Sequence, residues 1–95
     1  MEFEYHPWKS TLNQYKHGIS FEEAKKLWFG PWTELPAKSM KELRSIAVGK
    51  IDDKFYSCVF TMRDQKTRII SVRRSRPHEE KAYYDYEKKY NSKRI

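Results

Sequence analysis

Apolar residues recur along this chain with two different periods. Between Pro7 and His17, Trp8, Leu12 and Tyr15 fall on one side of a helix and Lys9, Asn13 and Lys16 on another, which predicts a helix with a greasy face and a basic face. Pro7 suits the first helical position, whose N–H lacks a partner in any case, and Gly18 suits the left-handed residue that often follows a helix end. Ser20 with Glu23 three residues later reads as a capping box. It opens a second helix whose buried stripe is Phe21, Ala24, Leu27 and Trp28, and "FGPW" ends it, so the two helices form a hairpin.

After Pro36 the period changes to two. "RSIAVGKI" and "FYSCVFTM" flank the turn "DDK", and "RDQK" turns into "TRIISVRR", which predicts a three-stranded antiparallel meander. "EFEY" alternates as a short first strand, and Pro77 opens a last helix with Glu79, Tyr83, Tyr86 and Tyr90 on one stripe. The expected order is strand, helix, helix, three strands, helix: an α+β fold. No internal repeat, low-complexity tract or Gly/Ser linker interrupts residues 1–95, so they read as a single domain.

Composition changes this picture in two ways. The chain is 35% charged, yet its 38% hydrophobic and 16% aromatic content supplies a core. The net charge of +7 is also unevenly placed. Residues 1–60 hold nine Lys/Arg against eight Asp/Glu, and residues 61–95 hold eleven against five, so the last third carries +6. That asymmetry points to a polyanionic partner, nucleic acid first, then an anionic membrane or an acidic protein, against the plainer reading of a solvated basic face. Cys58 is alone and reads as a small core residue in a reducing compartment. The acidic start and the lack of an apolar run long enough to span a membrane lead us to expect a cytosolic protein with no membrane partner.

On "TRIISVRR", alternation puts Arg68, Ile70, Val72 and Arg74 on one side and Thr67, Ile69, Ser71 and Arg73 on the other, with Ile70 and Val72 as the expected core residues. Arg68, Arg73 and Arg74 are candidate phosphate and transition-state stabilisers, because planar guanidinium groups grip phosphate bidentately. The alternative is ion pairing with Glu79, Glu80 or Asp85. His17 is either an acid/base group or a cation favoured by a helix C-terminus. Tyr83 is either core or a substrate contact able to stack on a base. No histidine pairs with a carboxylate at metal-ligand spacing, and three glycines leave no phosphate loop or dinucleotide fingerprint. Without an Asp/Glu cluster, any nuclease activity is expected to need no metal and no cofactor.

"FEYHPWKSTLNQYKHGISFEEA" (Phe3 to Ala24), "RIISVRR" (Arg68 to Arg74), Glu79 and Tyr83 together resemble the BrnT toxins of bacterial type II toxin–antitoxin systems. The resemblance spans nearly the whole chain in order. It implies a RelE-like fold, with a small antiparallel sheet, two N-terminal helices and one C-terminal helix. It also implies a cytosolic, metal-independent ribonuclease that blocks translation and is held inactive by a BrnA antitoxin. In that family the antitoxin carries the DNA contact. The matching polar residues are Lys9, Asn13, Lys16, His17, Ser20, Glu22, Glu23, Arg68, Ser71, Arg73, Arg74, Glu79 and Tyr83.

From this we expect catalysis by Lys16, His17, Arg68, Arg73, Arg74 and Tyr83, with Lys9, Ser71 and Glu79 binding substrate. Three positions depart from the family: His6 replaces an aspartate cap, Tyr5 a tryptophan, and Arg76 followed by Pro77 a threonine cap on the last helix. The last departure predicts a lost reciprocal capping box and a Glu79 left free to orient an arginine. Two other functions stay open: a module that only binds RNA or an acidic protein, and a toxin of this fold acting on another target such as gyrase.

Overall fold

The computed structural model describes residues 1–37 and 43–92. In chain order the elements are β1 (Phe3–Glu4), α1 (Pro7–His17), α2 (Phe21–Ala24) continued by a 3-10 turn (Lys25–Phe29), β2 (Trp32–Ala37), β3 (Arg44–Ile51), β4 (Lys54–Arg63), β5 (Lys66–Arg74) and α3 (Pro77–Ser92). The fold is α+β. Five strands form one sheet in the order β1-β5-β4-β3-β2, antiparallel from β2 to β5, with β1 parallel to β5.

The expected caps form. His6 Nδ1 accepts from the Trp8 N–H at 3.2 Å, Gly18 takes φ 74°, and Ser20 and Glu23 make both halves of the capping box. Phe21, Ala24 and Leu27 are buried as the stripe predicts, with Trp28 at its margin. Gly49 is needed where this stripe meets β3, since a Cβ there would lie 3.1 Å from the Pro31 carbonyl oxygen and 3.3 Å from Leu27. Both tight turns have positive φ at two consecutive residues, Asp52–Asp53 and Asp64–Gln65, which matches the twist of the strands they join.

Three expectations are corrected. β2 was not foreseen: Pro36 breaks its pattern, and a proline is tolerated because β2 pairs on one side only, with β3. The core residues of β5 are Ile69 and Val72, not Ile70 and Val72. Val59 pairs with Ser71 while Phe60 pairs with Ile69, so Ile70 is a bulge residue, and the alternation changes phase across it. The third correction is α1, whose predicted greasy face is the exposed one: Trp8, Leu12 and Tyr15 are 64%, 40% and 91% exposed. Ser10 and Asn13 are buried instead.

Hydrogen bonds explain the inversion. Ser10 Oγ accepts the Phe21 N–H at 2.9 Å, and Asn13 Nδ2 donates to the carbonyls of Ile19 (2.9 Å) and Val72 (2.8 Å) while its Oδ1 accepts the Val72 N–H at 3.1 Å. Asn13 thus acts as one residue of a further strand beside β5, just past the end of β1. Buried backbone groups at a sheet edge require partners, and that requirement outweighs the apolar stripe in deciding which way α1 faces.

The sheet has two covered faces. Under α1, α2 and the 3-10 turn lie Ile19, Phe21, Ala24, Leu27, Ala47, Ile51, Cys58, Phe60, Ile69 and Val72. Burial pushes the Cys58 thiol pKa up, which keeps it protonated and inert. On the other face α3 covers a smaller group, Val48, Phe55 and Tyr83, with Leu35 and Ile46 beside it.

Candidate functional site

β5 is central to the candidate site: Ser71 and Arg73 lie on the sheet face opposite buried Val72, toward α3, while Asn13 ties the outer edge of the strand to α1. A cleft of about 260 Å3 opens where α1 meets that edge, lined by Lys9, Leu12, Asn13, Lys16, His17, Phe21, Ile70 and Ser71. Four expected site residues, Lys9, Lys16, His17 and Ser71, therefore share one concavity. Among the described residues neither lysine makes an ion pair, so their charge is available to a ligand.

Ile70 and Ser71 also line a second cleft, of about 520 Å3, with Arg44, Val59, Arg73, Arg76, His78 and Glu79 among its walls. The two clefts meet over β5. A larger one, about 560 Å3, lies at the other end of the sheet among Trp28, Trp32, Phe60 and Met62. Size does not select the site here, since among the described residues that line this cavity the charged side chains come down to one carboxylate, Glu34, with no Lys or Arg.

Arg73 and Glu79 form the most ordered part of the second cleft. Arg73 Nη1 and Nη2 donate to Glu79 Oε1 and Oε2, each at 2.8 Å. Ser57 Oγ donates to Oε1 at 2.9 Å and the Arg76 N–H to the same oxygen at 2.8 Å, while Ser57 and Ser75 hydroxyls lie 2.7 Å apart. Glu79 is only 1% exposed. Burial works to raise its pKa, but Arg73, the Arg76 amide and Ser57 prevail and hold it at about 2. The carboxylate in turn raises the Arg73 pKa.

Glu79 is thus not free. It keeps the backbone half of the capping box, accepting the Arg76 N–H at the start of α3, and fixes Arg73 at the same time. An arginine held this way is a rigid donor whose charge is already matched, so it adds less net positive potential than an unpaired lysine.

The remaining expected residues lie elsewhere. Arg68 faces β1, 3.4 Å from Glu4, and Arg74 turns to the opposite sheet face, over the Tyr56 ring at 5.6 Å with its Nε donating to the Phe55 carbonyl. Tyr83 is 5% exposed and packs edge-on against Phe55 at 5.1 Å; burial is the main cause of its raised pKa. Of the tyrosines on the predicted stripe, Tyr83 is core, Tyr86 is exposed, and the Tyr90 side chain lies outside the described residues. Ser57 and Ser75 were missed because nothing in an alternating strand marks which polar residue faces a buried carboxylate.

Among the described residues, no three His, Cys, Asp or Glu side chains gather to hold a metal ion, and no helix is long and apolar enough to cross a membrane. A small basic α+β protein with two lysines and an imidazole around one open cleft has groups suited to a phosphate-bearing ligand. The comparison with known families makes this particular. The model of the ribonuclease toxin BrnT of type II toxin–antitoxin systems matches residues 5–79, and the chain belongs to that family. No curated protein matches the chain. Membership makes it a ribonuclease toxin with an antitoxin as its partner.

Proposed function

We propose that this toxin is a metal-independent, RelE-like endoribonuclease of the cytoplasm that cuts RNA at the cleft between α1 and β5 and so blocks translation. The observation that carries the reading is the meeting of Lys9, Lys16, His17 and Ser71 in one open concavity. The ribose 2′-OH gives up its proton as its oxygen attacks the adjacent phosphorus. The 5′ oxygen leaves and takes a proton, and the products are a 2′,3′-cyclic phosphate and a 5′-OH. His17 handles these protons, since an imidazole has the range to work near neutrality. Lys9 and Lys16 offset the charge that grows on the phosphate. Ser71 marks the crossing into the second cleft, where Arg73, held by Glu79, and Arg76 bind the neighbouring backbone.

The geometry favours different roles from those first expected. Arg68 and Arg74 stand away from this cleft and Tyr83 is packed beneath α3, so the case for chemistry shifts from the arginines to α1. A BrnA-type antitoxin neutralises the toxin and carries the DNA contact of the complex.

The test is incubation of antitoxin-free protein with RNA in EDTA, with and without ribosomes, beside His17→Ala. Cleavage by the wild type and a loss of about 100-fold or more in the variant are expected. Equal rates would remove His17 from the chemistry. Binding that weakens steeply with salt but yields no product under either condition would overturn the enzymatic reading in favour of a binding module.

A further inference from the structure

α1 is inside out by the measure of its own pattern, and the consequence is an apolar stripe with nothing of the described chain over it. Trp8, Leu12 and Tyr15 are spaced i, i+4 and i+7, which lines them up along about 10 Å of helix. Of the other exposed apolar residues, Leu43 and Met62 line the separate cleft at the far end of the sheet, and Phe29 stands on the 3-10 turn. The α1 stripe is contiguous, and it carries a tryptophan and a tyrosine, the residue types that anchor protein interfaces.

The charge around the stripe is one-sided. α1 holds Lys9 and Lys16 and no carboxylate, and on a helical wheel both lysines flank Leu12 on the same side. That side is also the wall of the candidate active cleft, which Leu12, both lysines and His17 line together. A helix laid along Trp8, Leu12 and Tyr15 with acidic residues over the lysines would close the mouth of the cleft.

We propose that this stripe is where the antitoxin inhibits the toxin, through an amphipathic helix whose apolar ridge packs on α1 and whose acidic flank neutralises Lys9 and Lys16. The inference rests on the family reading, which supplies the partner, and adds the surface and the chemistry of its occupant. Single-stranded RNA is the rival occupant. It is disfavoured because Leu12, at the centre of the stripe, has no ring face for a base to stack on, while helical spacing of three apolar side chains suits a partner helix.

The experiment uses the full-length toxin and the antitoxin expressed with it. The double variant Trp8→Ser, Tyr15→Ser alters only exposed side chains, so thermal stability and RNA cleavage are expected to match the wild type while antitoxin affinity falls about 30-fold or more. Phe29→Ser serves as the control, with neutralisation retained. Wild-type affinity is also expected to weaken as salt rises, and affinity indifferent to salt would overturn the acidic flank. Unchanged antitoxin affinity in the double variant would overturn the surface, and lost RNA cleavage with unchanged affinity would give the stripe to RNA. Failure of the wild type to bind any antitoxin would instead sink the family reading beneath it.

Discussion

The two faces of the sheet are built on different physics. Beneath α1 and α2, ten buried apolar side chains form one cluster, rimmed by Phe3, Tyr5, Trp28, Trp32 and Tyr56, and the polar groups among them, Ser10 and Asn13, serve backbone partners. Beneath α3 the apolar cluster among the described residues is smaller, Val48, Phe55 and Tyr83 with Leu35 and Ile46 beside it, and further contact runs through Arg73, Glu79, Ser57, Ser75 and the Arg76 amide. Burial of apolar area works at any pH. A buried ion pair works only while both partners stay charged, because removing either leaves the other stranded out of water. The candidate cleft lies where β5 passes between these regimes, at Ile70 and Ser71. The apolar face holds the backbone of that junction still and the polar face orients the donors, so the two can be told apart by how each fails.

The largest effect belongs to the apolar face. Phe60 is buried with Trp28 and Trp32 at ring distances of 5.4 and 6.3 Å. Phe60→Ala should cost about 4 kcal/mol of stability, the same from pH 5 to 8. Arg73→Ala should cost about 3 kcal/mol at neutral pH by leaving the Glu79 carboxylate buried without its cation. That loss should shrink as acid protonates Glu79. Denaturant unfolding of both variants from neutral pH down through the window in which Glu79 loses its charge, from the ordinary carboxylate value near 4.5 toward 2, checks the contrast, and parallel curves there would mean that the clamp is no more conditional than the core.

The wild type carries the same signature on its own. Glu79 has its pKa depressed from the ordinary carboxylate range to about 2, so its contribution is fully present above the unfolded value, near 4.5, and is lost as pH falls from there toward 2. The lost stability is about 3 kcal/mol at most. Acid unfolding followed by circular dichroism should show it, and Glu79→Gln should be less stable at neutral pH but flatter across that window. A wild type with no acid limb between these values would count against the strength of the clamp.

Much of the first face was legible because it obeys local rules. Ser20 and Glu23 form the box that their spacing implies, Gly18 ends α1, and Phe21, Ala24 and Leu27 fill the core. What periodicity misread is where long-range hydrogen bonding overrides it. Asn13 turns α1 over to reach Val72, 59 residues away, and a bulge at Ile70 exchanges the buried residue of β5 for Ile69. Neither leaves a mark in the neighbouring sequence. The second face was legible as a set of charges but not as pairs. Arg73 meeting Glu79 was one of several pairings open to the chain, and the burial of both follows from α3 docking on the sheet. The same docking explains why Tyr83 became core. Of the candidate site, α1's lysines were named from the family resemblance and His17 from its residue type as well, but their meeting with Ser71 depends on the inverted helix.

The smallest effect is the sharpest test, because Ser57 and Cys58 are neighbours in β4 of similar size that face opposite ways, and both are essentially fully buried. Ser57 Oγ donates to Glu79 Oε1, whereas Cys58 sits in the apolar cluster with only a long contact, 3.9 Å, from its Sγ to the Val59 carbonyl. Truncating either to alanine should cost about 1 kcal/mol, for unlike reasons: a lost hydrogen bond to a charged acceptor in one case and a small cavity in the other. Stability at one pH would not distinguish them. Ser57→Ala, however, removes a donor that favours the ionised carboxylate, so Glu79 should titrate higher and the acid limb should begin at higher pH. Cys58→Ala should lower the whole curve without moving that limb. If both variants move it, or neither does, the division of labour between the two faces fails at the one place where a single atom separates them.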